Sequence, residues 1–216
     1  MSLPGTGGKL IFNQDFTTQT SLDTSVWHPS WFSEATMNGV TTDPANVSVV
    51  NGQLVLTLAS ATSGALVNTN PATASKGFLY TYGYAEASIT FPSVNGHLVN
   101  WPAFWTECQD WENGGESDIA EVLNSQMTTN YHYRVKGVDS PQSSGPIAGN
   151  WTGKHRYGML WTPGLQAIYF DGVLVHTRTT NVTTAPQYLI LNIGNGQGNA
   201  IEVGGKVLVD YVRVWQ

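Results

Sequence analysis

Two dipeptides, Asn51-Gly52 and Asp171-Gly172, each stand between short runs of alternating apolar residues. The first joins Val47-Ser48-Val49-Val50 to Leu54-Val55-Leu56-Thr57-Leu58. The second joins Ala167-Ile168-Tyr169-Phe170 to Val173-Leu174-Val175-His176. A two-residue hairpin turn needs positive φ at its central residues, which Asn-Gly and Asp-Gly tolerate best. Further strand-like runs occupy residues 10–12, 77–91, 98–105, 129–135, 155–161, 188–193 and 206–215. No window carries a sustained apolar stripe of helical period, and 23 Gly with 10 Pro suit frequent turns. The pattern predicts an all-β chain folded as one β-sandwich of jelly-roll type, with a concave sheet able to hold an extended ligand. Residues 139–149, rich in Ser, Pro, Gly and Gln, read as a long exposed loop. Residues 9–216 form one domain on this reading, and residues 1–8 read as a disordered leader or a remnant of cloning.

Within this β pattern lies a crowd of carboxylates, Glu116, Asp118 and Glu121, in a chain where 11% of residues are charged. The neighbours Ile119, Ala120, Val122 and Leu123 are apolar and partly β-branched, so the run reads as a strand rather than an acidic loop. Alternation puts Glu116 and Asp118 on one face, and would put residue 120, not 121, beside them. Glu121 joins that face only if a β-bulge absorbs one residue between Asp118 and Glu121. Three carboxylates on one face repel one another, so at least one should bind its proton unusually tightly. A protonated carboxyl beside an ionised one is the equipment of a retaining glycosidase. A regular strand would hold the Cα atoms of residues 116 and 121 about 13–17 Å apart, so bulge and curvature must bring the two side chains together.

The remaining composition fits a neutral partner. With 15 acidic and 9 basic residues the net charge is −6, which argues against nucleic acid and anionic membrane surfaces. No apolar run reaches the length of a membrane span, and no basic, apolar start of signal-peptide type is present. The 8 Trp and 9 Tyr suggest a polar, uncharged ligand met by aromatic faces, as a sugar would be. Trp101, Trp105 and Trp111 precede the acids closely, and the first two share a strand face because they differ by four. Trp31 lies in a loop-like stretch and could line the same cleft. Cys108 is the single cysteine, so it forms no intrachain disulfide and reads as a partly buried thiol.

Several segments, in order along residues 10–216, resemble glycoside hydrolase family 16, the laminarinase and lichenase group. Glu116-Ser117-Asp118-Ile119-Ala120-Glu121 is similar to its E-x-D-x-x-E signature in the bulged form, and Trp101-Pro102-Ala103-Phe104-Trp105 to the strand before it. Tyr82-Gly83-Tyr84-Ala85-Glu86-Ala87, Trp161-Thr162-Pro163 and the closing Val209-Asp210-Tyr211-Val212-Arg213-Val214-Trp215 resemble further family segments. The resemblance implies a concanavalin A-like jelly roll and a secreted, monomeric, retaining endo-glycosidase that needs no cofactor for catalysis. Its substrate would be a polysaccharide, a β-1,3-glucan of laminarin type or a mixed β-1,3-1,4-glucan. Glu116 would be the nucleophile, Glu121 the acid/base, and Asp118 the group between them. Trp101, Trp105, Trp111, His132, Glu86 and Asn192 would meet the sugar. The resemblance also implies a structural calcium ion held by Asp15, the Gly52 carbonyl and Asp210, since carboxylate and carbonyl oxygens suit that cation.

This sequence departs from the family pattern at Ser88, where an Arg is common, at Ser117, where an aliphatic residue is usual, and at Val122-Leu123-Asn124. These changes leave the three acids in place and bear on the substrate. Galactan-cleaving hydrolases such as agarases and carrageenases share the bulged signature, and transglycosylation in place of hydrolysis would use the same residues. A non-catalytic carbohydrate-binding module or lectin is the competing class; it would keep the aromatics without needing three acids at this spacing.

Overall fold

The Phe104 side chain and the Ile119 and Ala120 side chains, all fully buried, meet Ala85, Ala87, Ile89, Val212 and Val214 in one apolar core. The two groups come from two sheets packed face to face. A computed structural model describes residues 7–31, 36–111 and 114–216. The expected leader falls, for residues 1–6, outside the described residues.

One sheet, here the cleft sheet, runs in the order Gln142–Ser143, Gln126–His132, Glu116–Leu123, Trp101–Cys108, Gln187–Gly194, Ser63–Asn68, Val40–Thr42, Thr36–Met37. The other, the back sheet, runs Val173–Arg178, Leu165–Phe170, Gly153–Thr162, Gly83–Phe91, Lys206–Trp215, Gln53–Thr57, Val47–Val50, with Leu10–Gln14 also paired to Lys206–Trp215. Among the described residues the strand pairings are antiparallel except that of Val40–Thr42 with Ser63–Asn68. The two expected hairpins form, and their turns have φ of 53° and 74° at Asn51 and Gly52 and of 50° and 81° at Asp171 and Gly172. Those left-handed values are what the Asn-Gly and Asp-Gly pairs were needed for.

The central strand Trp101–Cys108 is buried along nearly its whole length, and its side chains alternate between the inter-sheet core and the cleft face. Along Trp101–Cys108, Phe104 enters the core while Trp101, Ala103 and Trp105 line the outer face of the cleft sheet. Burying one side chain the size of Phe or Ile contributes about 1.5–3 kcal/mol, and both faces of this strand are used. The stretch expected to be a long loop at residues 139–149 instead supplies an edge strand, Gln142–Ser143, paired to Asn130 and Tyr131. Its polar composition suits an edge, where side chains meet solvent, and composition alone does not distinguish such an edge from a loop.

Candidate active site

The acidic strand carries the irregularity its parity required. Asp118 pairs with Asn130 and Glu121 with Thr128, three steps on one strand against two on its neighbour. On the other side Phe104 pairs with Ala120 and Trp105 with Asp118, two steps against one. Ile119 and Ala120 therefore both turn inward to the core, and Glu116, Asp118, Glu121 and Leu123 all face the cleft. The cleft has a volume of about 690 Å³, within the usual range for ligand sites.

Each oxygen of Glu121 has one donor. Trp101 Nε1 donates to Oε1 at 2.8 Å, and Asn130 Nδ2 donates to Oε2 at 2.5 Å. Trp101 thus orients a carboxylate as well as presenting an indole face. Trp105 is held by a bond from its Nε1 to Asn192 Oδ1 at 2.8 Å and is stacked on Trp31, centroids 5.5 Å apart. Asn192 also donates through Nδ2 to the Trp101 carbonyl at 3.2 Å, which ties the two tryptophan positions together. His132 pairs across the strands with Glu116; its Nε2 lies 3.8 Å from Asp118 Oδ2 and its Nδ1 3.3 Å from Asp139 Oδ2. Trp111 lines the cleft with the Arg134 guanidinium 5.1 Å from its ring centre.

A polar layer supports the acids from beneath. Ser117 Oγ, between Glu116 and Asp118, accepts from Gln166 Nε2 of the back sheet at 2.7 Å, which explains the loss of the usual aliphatic residue there. The buried Arg178 donates through Nη2 to Thr129 Oγ1, and Thr129 Oγ1 donates to the Asp118 carbonyl at 2.6 Å. The positive charge of Arg178 favours the ionised form of Asp118.

Burial dominates the electrostatics. It raises Glu116 from 4.5 to about 8, helped by the charges of Glu107, Glu121 and Asp139, and opposed by a hydrogen bond with Asp118. Asp118 is held well above the usual carboxylate range by burial and by Glu121 and Glu116. Glu121 is raised by burial, against the bonds from Trp101 and Asn130. A carboxyl raised in the folded state binds its proton more tightly folded than unfolded, so raising the pH costs the folded state. Stability should therefore fall as pH rises from about 4.5 to about 8. Glu116→Gln removes one of these ionisations. Its melting temperature is expected to match wild type near pH 4, where Glu116 is neutral in the folded state and largely neutral in the unfolded one, and to exceed it near pH 8. Melting curves across that range check this; equal temperatures at both pH values would refute it.

Two expectations are corrected. Glu86 does not meet the cleft. Its strand Gly83–Phe91 belongs to the back sheet, and Glu86 faces away from the core, buried under Tyr84 OH at 3.0 Å and Tyr211 OH at 2.6 Å. The expected calcium ligands do not fit a divalent cation as they stand. Asp210 Oδ2 is 2.6 Å from Lys154 Nζ and accepts from Ser88 Oγ, while its Oδ1 accepts from Gln53 Nε2. Asp15 Oδ1 accepts from the Thr17 amide and hydroxyl. The charge such a cation would neutralise on Asp210 is already answered by an ammonium group. Among the described residues, Glu116, Asp118 and His132 are the grouping whose ligand atoms lie within 4.8 Å of one another. Their spacing follows from the shared strand face of the two acids and the cross-strand pairing of His132 with Glu116, and no metal is assigned there.

Sequence reasoning missed Asn130 and Glu107, both of which line the cleft. Glu107 follows Trp101, Ala103 and Trp105 at alternating positions, so the parity argument for the tryptophans reaches it too.

The sequence model of Glycosyl hydrolases family 16 matches residues 34–213. The chain is 29% identical over 239 residues to endo-1,3-1,4-beta-glycanase EglC of Rhizobium meliloti (strain 1021), covering 94% of this chain and 51% of that protein. It is 30% identical over 120 residues to the beta-glucanase of Paenibacillus polymyxa, covering 55% of this chain and 50% of that protein. The chain spans about half the length of these curated relatives. Among solved structures it is similar to SCLam, a non-specific endo-beta-1,3(4)-glucanase, with a TM-score of 0.76 and 25% identity, covering 100% of this chain and 93% of that one. The laminarinase from Flavobacterium sp. UMI-01 shares the fold at a TM-score of 0.76 and 23% identity, covering 96% of this chain and 100% of that one.

Proposed function

The chain belongs to glycosyl hydrolase family 16, and from that premise we propose that it is a retaining endo-β-glucanase cleaving internal linkages of β-1,3- or mixed β-1,3-1,4-glucan. The observation that carries the reading is the bulge, which brings Glu116, Asp118 and Glu121 to one face of a cleft lined by Trp101, Trp105 and Trp111. Relatives named as 1,3-1,4-β-glycanases and a 1,3(4)-glucanase support the substrate class.

In the first step Glu116 is ionised and Glu121 protonated; a Glu116 oxygen bonds to the anomeric carbon as the glycosidic C–O bond breaks, and the leaving oxygen takes its proton from Glu121. In the second step Glu121 removes a proton from water, the water oxygen bonds to the anomeric carbon, and Glu116 leaves as carboxylate. Each Glu121 oxygen has a second lone pair, so the bonds from Trp101 and Asn130 leave room for the proton it must carry. Asp118, sharing a hydrogen bond with Glu116, stabilises the nucleophile's ionised form. Crowded, buried negative charge is costly in the empty cleft and is relieved as positive charge develops at the anomeric carbon. That difference lowers the barrier rather than merely tightening substrate binding.

All of these groups come from one chain, which supports action as a monomer. A polymeric substrate that does not cross membranes supports action outside the cell. Reducing-sugar release from laminarin, lichenan and agarose, with linkage analysis and the anomer first formed read by NMR, tests the proposal. Retained β-configuration on a β-glucan is the expected result. Binding without release on every polymer would favour a lectin-like module, and release from agarose alone a galactanase.

A further inference from the structure

A fourth carboxylate faces the cleft, and the reaction just described leaves it without work. Glu107 is the cross-strand partner of Glu116 on one side and of Tyr188 on the other. It is 2% exposed and lines the same cavity as the three acids. Tyr188 OH donates to its Oε2 at 2.6 Å, and among the described residues no other hydrogen-bond donor reaches it. An ionised carboxylate offers about four acceptor sites, and burying one with a single donor is expensive. Burial accordingly raises Glu107 from 4.5 to about 7, opposed by the tyrosine bond. A buried acceptor that opens only to the cleft needs donors from whatever fills the cleft.

We propose that Glu107 is a specificity-determining residue that accepts hydrogen bonds from hydroxyl groups of the sugar seated over Glu116. The inference rests on the reading of the cleft as a glycan site. Sugar hydroxyls supply the donors that the protein withholds. The same carboxylate selects a neutral sugar with free hydroxyls at that place and repels one bearing a sulfate or carboxylate. Tyr188 fixes the side chain by holding Oε2, so the other oxygen presents a defined acceptor.

Binding of gluco-oligosaccharides and their monodeoxy forms to wild type, Glu107→Leu and Glu107→Gln tests this, with affinities read by calorimetry. Hydrogen bonds to charged groups correspond to about a 10–100-fold effect. One deoxy position should weaken wild-type binding by that factor and weaken Glu107→Leu by less than about twofold. Glu107→Gln keeps an acceptor for Tyr188 and guards against a folding failure of the leucine variant. It should lose part of the effect and discriminate less against sulfated oligosaccharides. If every deoxy position costs the variants what it costs wild type, Glu107 is only a structural partner of Tyr188 and the proposal is overturned. If wild type binds none of the oligosaccharides, the glycan reading itself fails instead.

Discussion

Glu116→Ala is expected to lose hydrolysis of β-glucan by roughly 10⁴-fold or more, the scale set by removing a covalent nucleophile, and to regain turnover of an activated aryl β-glycoside in azide. The product anomer is the informative part. With Glu116 shortened, azide occupies the vacated space, attacks the anomeric carbon from that side and gives the α-glycosyl azide. Glu121→Ala still forms the glycosyl-enzyme when the leaving group needs no proton, and loses about 10²–10⁴-fold on natural substrate. Azide then enters from the Glu121 side and gives the β-glycosyl azide. The two anomers assign the two roles by stereochemistry, independent of any rate. Swapped anomers would reverse the assignment, and azide products from neither variant would remove the covalent mechanism. The geometry favours the assignment as stated. Glu121 has the Trp101 and Asn130 donors that hold a proton shuttle in place, and Asp118, on the same strand face, favours the ionised form of Glu116 that a nucleophile needs.

What could be read before the fold was known is what parity and turn chemistry control. The hairpins at Asn51-Gly52 and Asp171-Gly172 follow from two residues each, and the bulge from the spacing of Glu121. The shared face of Trp101 and Trp105 follows from a separation of four. Which sheet a strand joins is another matter. Glu86 alternates on its strand as a cleft residue would, and only the pairing of Gly83–Phe91 with Lys206–Trp215 sends it to the back. Asn130 owes its place beside Glu121 to a register between strands, which no local pattern encodes. The same holds for Lys154 and Asp210, which are far apart in the chain and paired in space. Ser88 and Ser117, departures that first bore on the substrate, both answer to partners in the fold, Asp210 and Gln166.

The bulge also predicts that two one-residue changes in the acidic strand have opposite outcomes. Relative to both neighbours the strand holds one residue too many between Asp118 and Glu121. Deleting Ala120 leaves Glu116-Ser117-Asp118-Ile119-Glu121, in which plain alternation puts all three acids on the cleft face and Ile119 in the core. The pairing of Glu121 with Ala103 and Thr128 needs no change. Loss of the buried alanine costs packing, so a drop of a few degrees in melting temperature is expected, with activity still measurable. Inserting an alanine after Ala120 adds a second surplus residue. The strand must then loop two residues out of its ladder, or keep its one-residue bulge and turn Glu121 toward the apolar core formed by Phe104, Val122 and Met127, or alternate plainly and slip Glu121 two residues along the cleft face from Ala103 and Thr128. Burying the carboxylate without partners costs several kcal/mol, and slipping it away from the Trp101 and Asn130 donors costs about 1.5–3 kcal/mol for each charged hydrogen bond lost, against a total stability of about 5–15 kcal/mol. At about 2–4 °C per kcal/mol for a chain of this size, the melting temperature should fall by roughly 10 °C or more, and activity should fall as if Glu121 were absent. Melting curves and laminarin hydrolysis of the two variants decide it. Equal damage from deletion and insertion would mean that parity and register together do not place the acid, and the bulge would lose its role in building the site.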